Sequence, residues 1–497
     1  IEEYIAQITA YLEGQGTIRD PVLAGLAEPA LPGDQKTRLH LIQDCLRANR
    51  ERMINRFEAY TRLAAMADWY EEHPQSLIYA SNQFLADLLV WYHLSWMAET
   101  VRRSDTRIAR LQEKAINFTL HDRRELLQIV LELLRSVIPR YRALAERGQV
   151  ELCMSPYAHP IIPLLLDMDS AREAMPDVPL PVNSHYPGGD DRARWHVQQG
   201  LATFDRVFGL RPAGLWPSEG GISQAALELF AASDFRWVAS GGDVLRNSHM
   251  DEDASCSHRV YRFGDAAIDC IFRDDGLSDL IGFNYSDWHA ESAVANLLGH
   301  MENIAAVCPD RDNCLITIIL DGENAWEYYP ENGYHFLSEL YARLASHPQL
   351  RLTTMQQFLE EKSPEPAHVE SLVAGSWVYG TFSTWIGDAD KNRAWELLVE
   401  AKHRFDEQVA GGKLTAETLA AAERQLAICE GSDWFWWFGT YNPAATVSQF
   451  DQLYRMHLAN LYLLLNVEAP SYLSEVISRG GGNPSHGGVM RHSSETA

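Results

Sequence analysis

Between residues 150 and 320, short apolar runs alternate with amphipathic helical stretches, and this alternation restricts the fold of the 497-residue chain more than any other feature. The runs are Val150–Met154, Pro212–Trp216, Trp237–Ser240, Ala267–Arg273 and Cys314–Leu320. The helical stretches between them include RARWHVQQGLATFDRVFG, SQAALELFAASD and HAESAVANLLGHMENIAAVC. Strands linked by helices at this spacing predict a parallel sheet or a (β/α) barrel. The run CLITIIL is apolar without alternation, as a strand covered on both faces requires.

The flanks read differently. From about residue 37 to 147 the stretches beginning at Asp34, Asn82 and Asp122 carry apolar residues every three or four positions, which predicts helices. The last of them stops at Gly148, a C-cap glycine. The segment EEKSPEPAHVE, around Lys362–Glu370, is polar with two prolines and predicts a linker. Mostly helical sequence follows, and the Gly/Ser/His-rich end predicts a disordered tail. The expected organisation is a barrel over 1–361 with a helical insertion at about 37–147, a helical domain over 371–476 and a tail over 477–497. The opening residues IEEYIAQITAYLEGQG read as the middle of a helix, with Ile5, Ile8 and Leu12 on one face, and suggest that a natural N-terminus lies upstream.

Lys and Arg number 42 against 68 Asp and Glu, a formal charge of −26. Such a surface repels phosphate backbones and anionic lipid, so neither nucleic acid nor membrane is an expected partner, whereas a neutral sugar is compatible. No run of about 18 uncharged apolar residues marks a membrane-spanning helix. The seven cysteines are scattered without zinc-ligand spacing. Cys153, Cys270 and Cys314 lie in apolar runs, which predicts buried free thiols in a reducing, cytoplasmic setting.

In a parallel β/α architecture the chemistry belongs at the carboxyl ends of the strands. Pro212–Trp216 runs into PSEGG, placing Glu219 on a tight loop, and Cys314–Leu320 runs into DGENAWEYY, placing Asp321 directly after its strand. Two such carboxylates satisfy glycoside cleavage, where one attacks or activates water at the anomeric carbon and the other protonates the leaving oxygen. Either acid alone is equally a helix cap or a solvated loop residue. Aromatic company strengthens the catalytic reading, because pyranose rings stack on aromatic faces. Trp216, Trp326, Tyr328 and Tyr329 flank the acids, and Trp377 and Trp385 stand in GSWVYGTFSTWIG.

At these residues the chain resembles glycoside hydrolase family 57, the retaining α-amylase, amylopullulanase and 4-α-glucanotransferase family. GQVELCMSPYAHPIIPLLLD (Gly148–Asp167), GLWPSEGGIS (Gly214–Ser223) and LDGENAWEYY (Leu320–Tyr329) resemble its second, third and fourth conserved regions. GSWVYGTFSTWIGDADKNRAWELL and GSDWFWWFG resemble later blocks. The resemblance implies a distorted (β/α)7 barrel followed by a helical domain. It also implies Glu219 as nucleophile, Asp321 as general acid/base, and His159 beside the scissile sugar with Glu151 supporting it. Arg273 and Asp274 are candidates to bind sugar hydroxyls or orient Glu219, unless they form a structural ion pair, and Asp243 in the SGGD loop is a candidate of the same kind. The family's opening strand with its His-Gln-Pro region has no counterpart; the nearest string, EEHPQSL, lies in helical context. One or two first strands are therefore expected to be absent, leaving a sheet edge unpaired.

The chemistry expected is double displacement on an α-1,4-linked glucan, through a covalent intermediate and without a metal or other cofactor. Transfer to a sugar acceptor, as in a 4-α-glucanotransferase or branching enzyme, would use the same residues. A metal-dependent enzyme would need His185, Asp190, Asp191 and His196 as ligands. A non-catalytic glucan-binding homologue is the alternative outside enzymology.

Overall fold

The computed structural model describes residues 2–14, 16–248, 257–322 and 326–482. The chain divides into two compact units: Ile1–Gln149 with Asn284–Asn296 and Gly322–Pro348, and Val150–Phe283 with Leu297–Asp321 and Gln349–Ala497.

The first unit is helical, as the three- and four-residue periodicity predicts. Its longest helix, Leu120–Glu146, opens on a reciprocal capping box between Thr119 and Asp122. Helix Asn82–Trp96 begins where Ser81 Oγ accepts from Phe84 N at 3.0 Å, and it is buried on most of its circumference against Tyr60, Leu63, Ile108 and Leu126. A cavity of about 620 Å³ opens among Arg56, Phe57, Trp91, Glu99, Arg102 and Arg103. Glu99 there holds three guanidiniums, those of Arg56, Arg102 and Arg103, at 3.0 to 3.2 Å.

The second unit is built on a five-stranded sheet among the described residues. Its strands are β1 (Gly214–Leu215), β2 (Trp237–Ser240), β3 (Tyr261–Phe263), β4 (Asp269–Phe272) and β5 (Ala367–Val369), in the order β1-β2-β4-β3-β5. The β1, β2 and β4 neighbours are parallel, with Trp237 opposite both Gly214 and Asp269; β3 runs antiparallel to β4 and parallel to β5. Helices Gly189–Phe208 and Gln224–Ala232 pack on it through Val197, Phe204, Leu227 and Phe230. Trp237–Ser240 has the bounds its sequence predicts, whereas Pro212–Trp216 and Ala267–Arg273 pair only over their centres. Val150–Met154 contributes one bridge, Met154 to Leu215. Cys314–Leu320 forms no ladder of its own. Its backbone is held by Leu315 N to His258 O at 2.9 Å and Asp274 N to Thr317 O at 2.8 Å, and the Ser278 hydroxyl receives Ile319 N.

Three further expectations need correction. The predicted linker contains β5, because the prolines stop short of Ala367, whose N–H is free to donate to Val260 O at 2.9 Å. The predicted tail is ordered through residue 482: Ser478 is buried, donating from its backbone to Asp451 and receiving Gly439 N on its hydroxyl; residues 483–497 lie outside the described ones. Among the thiols, Cys45, Cys270 and Cys429 are buried, but Cys153 is exposed and Cys314 only half-buried. An apolar run does not guarantee burial where it pairs through a single bridge, as around Cys153, or forms no ladder, as at Cys314.

The C-terminal helices Ala389–Ala410, Ala416–Cys429 and Ala444–Leu464 lie in the same compact unit as the sheet. Their core is aromatic: Trp395 stacks on Phe435 at 4.3 Å and 14°, and Trp385, Tyr454 and Leu458 surround the pair. Each such side chain contributes roughly 2–3 kcal/mol on burial. The same cluster continues into Ile161, Leu164 and Tyr186, so the helices are packed onto the segment that follows the first bridge of the sheet. Sheet and C-terminal helices make the second unit a distorted α/β barrel with a helical region.

Candidate active site

The turn after β1 is built around an unusual backbone. Glu219 occupies the left-handed region at φ 59°, ψ 25°, a conformation that costs an L-residue about 1–3 kcal/mol and persists only where its surroundings impose it. Three contacts do so. Trp377 N donates to Glu219 O at 3.1 Å, Ser240 Oγ donates to Gly220 O at 2.6 Å, and Trp377 Nε1 donates to Glu219 Oε2 at 3.1 Å. The neighbouring glycines permit this approach. A Cβ on Gly220, itself at φ 61°, would stand 2.9 Å from the Trp216 ring, and one on Gly241 would stand 2.5 Å from Trp377 Cα. Trp216 meets Trp377 edge to face at 5.5 Å and 85°.

Arg273 and Asp274 follow β4, next to β2 in the sheet. Arg273 is buried, and its donors are taken up by Ile319 O at 2.9 Å, Asp275 at 2.9 Å and Asp279 at 2.7 Å. Its guanidinium also lies 5.6 Å from the Trp377 ring. One residue thus braces both the tryptophan that holds Glu219 and the chain two residues before Asp321. Asp274 caps helix Asp275–Asp279 through Leu277 N at 2.8 Å and binds His258 Nε2 at 2.7 Å. Burial alone would raise its carboxyl pKa; the His258 and Leu277 hydrogen bonds outweigh that and hold it low. Among the alternatives open for this pair, the intrachain contacts are those of the structural one, with Arg273 ion-paired to Asp275 and Asp279 and Asp274 bound to His258. Asp243 is held by Arg246, which bridges on to Asp275 at 2.7 Å.

His159 stands in a second left-handed turn, with Ala158 at φ 56° and His159 at φ 60°. Its Nδ1 meets Ser432 Oγ at 2.8 Å, and its carbonyl accepts Ser432 N at 2.9 Å. Glu151 does not support it. Because Met154 is the residue paired with Leu215, Glu151 lies three residues earlier, at the amino end of the sheet. There its carboxylate accepts Trp237 Nε1 and Gln356 N, both at 2.8 Å. Trp385, expected as a sugar platform, is fully buried among core aromatics and donates no face to solvent. Trp326 belongs to the first unit, packed against Tyr329 and Phe336.

Sequence reasoning missed Ser432 and Glu430. Ser432 lies inside the quoted GSDWFWWFG block, and its being 273 positions from His159 conceals the contact. The four residues considered for a metal are otherwise engaged in part: His196 binds Glu430 at 2.7 Å and Asp190 pairs with Arg194 at 2.8 Å. Among the described residues no three His, Cys, Asp or Glu side chains gather as metal ligands, and no helix is long and apolar enough to cross a membrane.

Parallel strands whose carboxyl ends deliver a tethered carboxylate, a buried arginine and paired tryptophans put the candidate site where β/α enzyme folds carry theirs. The model of glycosyl hydrolase family 57 matches residues 38–370, two thirds of the sequence, and the chain belongs to that family. A 1,4-alpha-glucan branching enzyme of Thermococcus kodakarensis is 25% identical over 148 residues, 30% of this chain but only 17% of that relative's length. Solved structures with a similar fold include a GH57 branching enzyme of Thermococcus kodakaraensis in complex with glucose and additives (TM-score 0.54, 14% identity, 88% of this chain and 86% of that one). Also similar are a GH57-type branching enzyme of Pyrococcus horikoshii (0.53, 16%, 89% of each) and the α-amylase AmyC of Thermotoga maritima (0.52, 14%, 76% and 80%). At these identities the likeness is one of fold.

Proposed function

We propose that the chain is a retaining glycosidase acting on α-1,4-linked glucans, with Glu219 as nucleophile and Asp321 as general acid/base. The observation that carries the reading is Glu219 itself, held in a left-handed turn at the end of β1 and fastened by Trp377 at both backbone and carboxylate. Strain of that kind is kept where a side chain must be aimed. In the first half-reaction a Glu219 oxygen attacks the anomeric carbon while Asp321 gives its proton to the departing glycosidic oxygen. In the second, Asp321 takes a proton from water, whose oxygen displaces Glu219. Trp216 and Trp377 offer the apolar faces a pyranose ring stacks on.

Similarity to proteins named as branching enzymes favours a second reading, in which a sugar hydroxyl replaces water as acceptor. Product analysis on maltoheptaose separates the two: shorter oligosaccharides alone mean hydrolysis, and longer or branched chains mean transfer. Glu219→Gln is expected to lower kcat by on the order of 10⁴-fold or more while glucan binding persists. Near wild-type turnover in that variant would remove Glu219 from the nucleophile role.

A further inference from the structure

We infer that Glu430 is a positioning residue for His159, acting through Ser432 and His196; this rests on the reading of His159 as a residue beside the reacting sugar. Glu430 follows helix Ala416–Cys429 and is completely buried. Its carboxylate accepts the Tyr186 hydroxyl at 2.6 Å, Arg192 Nε at 2.9 Å and Nη2 at 2.7 Å, and His196 Nε2 at 2.7 Å. Burial would drive this carboxyl up, but the Arg192 charge and the His196 hydrogen bond outweigh it and hold the pKa at about 2.

The network grips the strained turn from both sides. On one side, His196 faces Tyr157 O through Nδ1 and accepts Tyr157 N on its carbonyl at 3.1 Å. Both ring nitrogens of His196 therefore meet acceptors, a carbonyl and a carboxylate, which fixes the ring. On the other side, the chain leaving Glu430 passes Ala158 so closely that a Cβ on Gly431 would stand 3.0 Å from Ala158 O. Two residues after Glu430, Ser432 makes the paired contacts to the His159 backbone and ring. Ala158 and His159, both left-handed, lie between these two anchors. A strained turn needs such over-determination: the Glu430 carboxylate holds the His196 anchor directly, and the buried backbone it fixes carries the Ser432 anchor two residues on. Loss of either would let the His159 ring drift, and a displacement of about 1 Å can cost on the order of a hundredfold in rate.

The test uses the full chain with maltoheptaose. Ser432→Ala removes only the hydroxyl, so its melting temperature is expected within about 2 °C of wild type. Its kcat should fall by about tenfold or more with KM changed far less, and Ser432→Thr, which retains the hydroxyl, should recover most of the loss. Glu430→Gln should lower kcat further; because it leaves Arg192 uncompensated it also threatens folding, so Ser432→Ala is the deciding variant. Wild-type kcat and pH profile in Ser432→Ala, beside an inactive His159→Ala, would overturn the positioning role alone. Full activity in both His159→Ala and Glu219→Gln would instead remove the site reading, and the positioning role with it.

Discussion

Trp377 shows how much one side chain can carry. Its backbone N–H and indole N–H both reach Glu219, its ring meets Trp216, and Arg273 lies beside its face. A hydrogen bond to a carboxylate contributes about 1.5–3 kcal/mol. Trp377→Phe retains the aromatic face but loses the indole donor, so kcat is expected to fall by roughly tenfold or more with little change in melting temperature. Steady-state kinetics on maltooligosaccharides beside thermal unfolding would check this, and a drop in stability without a drop in kcat would contradict it. The sequence made Trp377 and Trp385 look alike, since both stand in one aromatic run. Only burial separates them: Trp377 is at the carboxylate, and Trp385 is inside the core.

At the scale of elements, the two ends of the sheet do different work. The carboxyl ends of β1, β2 and β4 carry Glu219, Asp243 and Arg273, while the amino end carries Glu151, fastened to Trp237 and to the first turn of helix Met355–Lys362. Glu151→Gln keeps one acceptor but loses the charge at that helix N-terminus, a change of about 0.3–1 kcal/mol. Its expected effect is a lower melting temperature with kcat unchanged, measured side by side with wild type. A selective loss of kcat would return Glu151 to the site. Strands β1, β2 and β4 were legible because parallel strands separated by helices leave a period in the sequence, whereas β3, β5 and the strand order were not. Strand ends were not, because pairing shortened Pro212–Trp216 to two residues and left Cys314–Leu320 held by loops and side chains.

Across the whole molecule, the helices after residue 389 share the sheet's unit, and Glu430 is where that sharing is electrostatic. Its carboxyl titrates at about 2 in the fold, against an ordinary glutamate value of about 4.3. A lowered carboxylate pKa contributes stability that is complete above the ordinary value and disappears as pH falls toward the lowered one. Urea unfolding at intervals from pH 6 to pH 2 is therefore expected to lose stability below about pH 4.3, with a shallower slope in Glu430→Gln. Equal slopes in the two proteins would show that Glu430 does not contribute to the acid transition.

Several features followed from the sequence by itself: the alternation of strand and helix, the helical flanks, the acids placed after apolar runs, and the motifs of family 57. All of these are local, written in side-chain period and in the residue that follows a run. The partners were decided only by the tertiary structure. Ser432 for His159, Trp377 for Glu219 and Trp237 for Glu151 are joined by hydrogen bonds across 273, 158 and 86 positions. Contacts of that range depend on which desolvated donor meets which acceptor once the core has closed, and no period in the sequence records them.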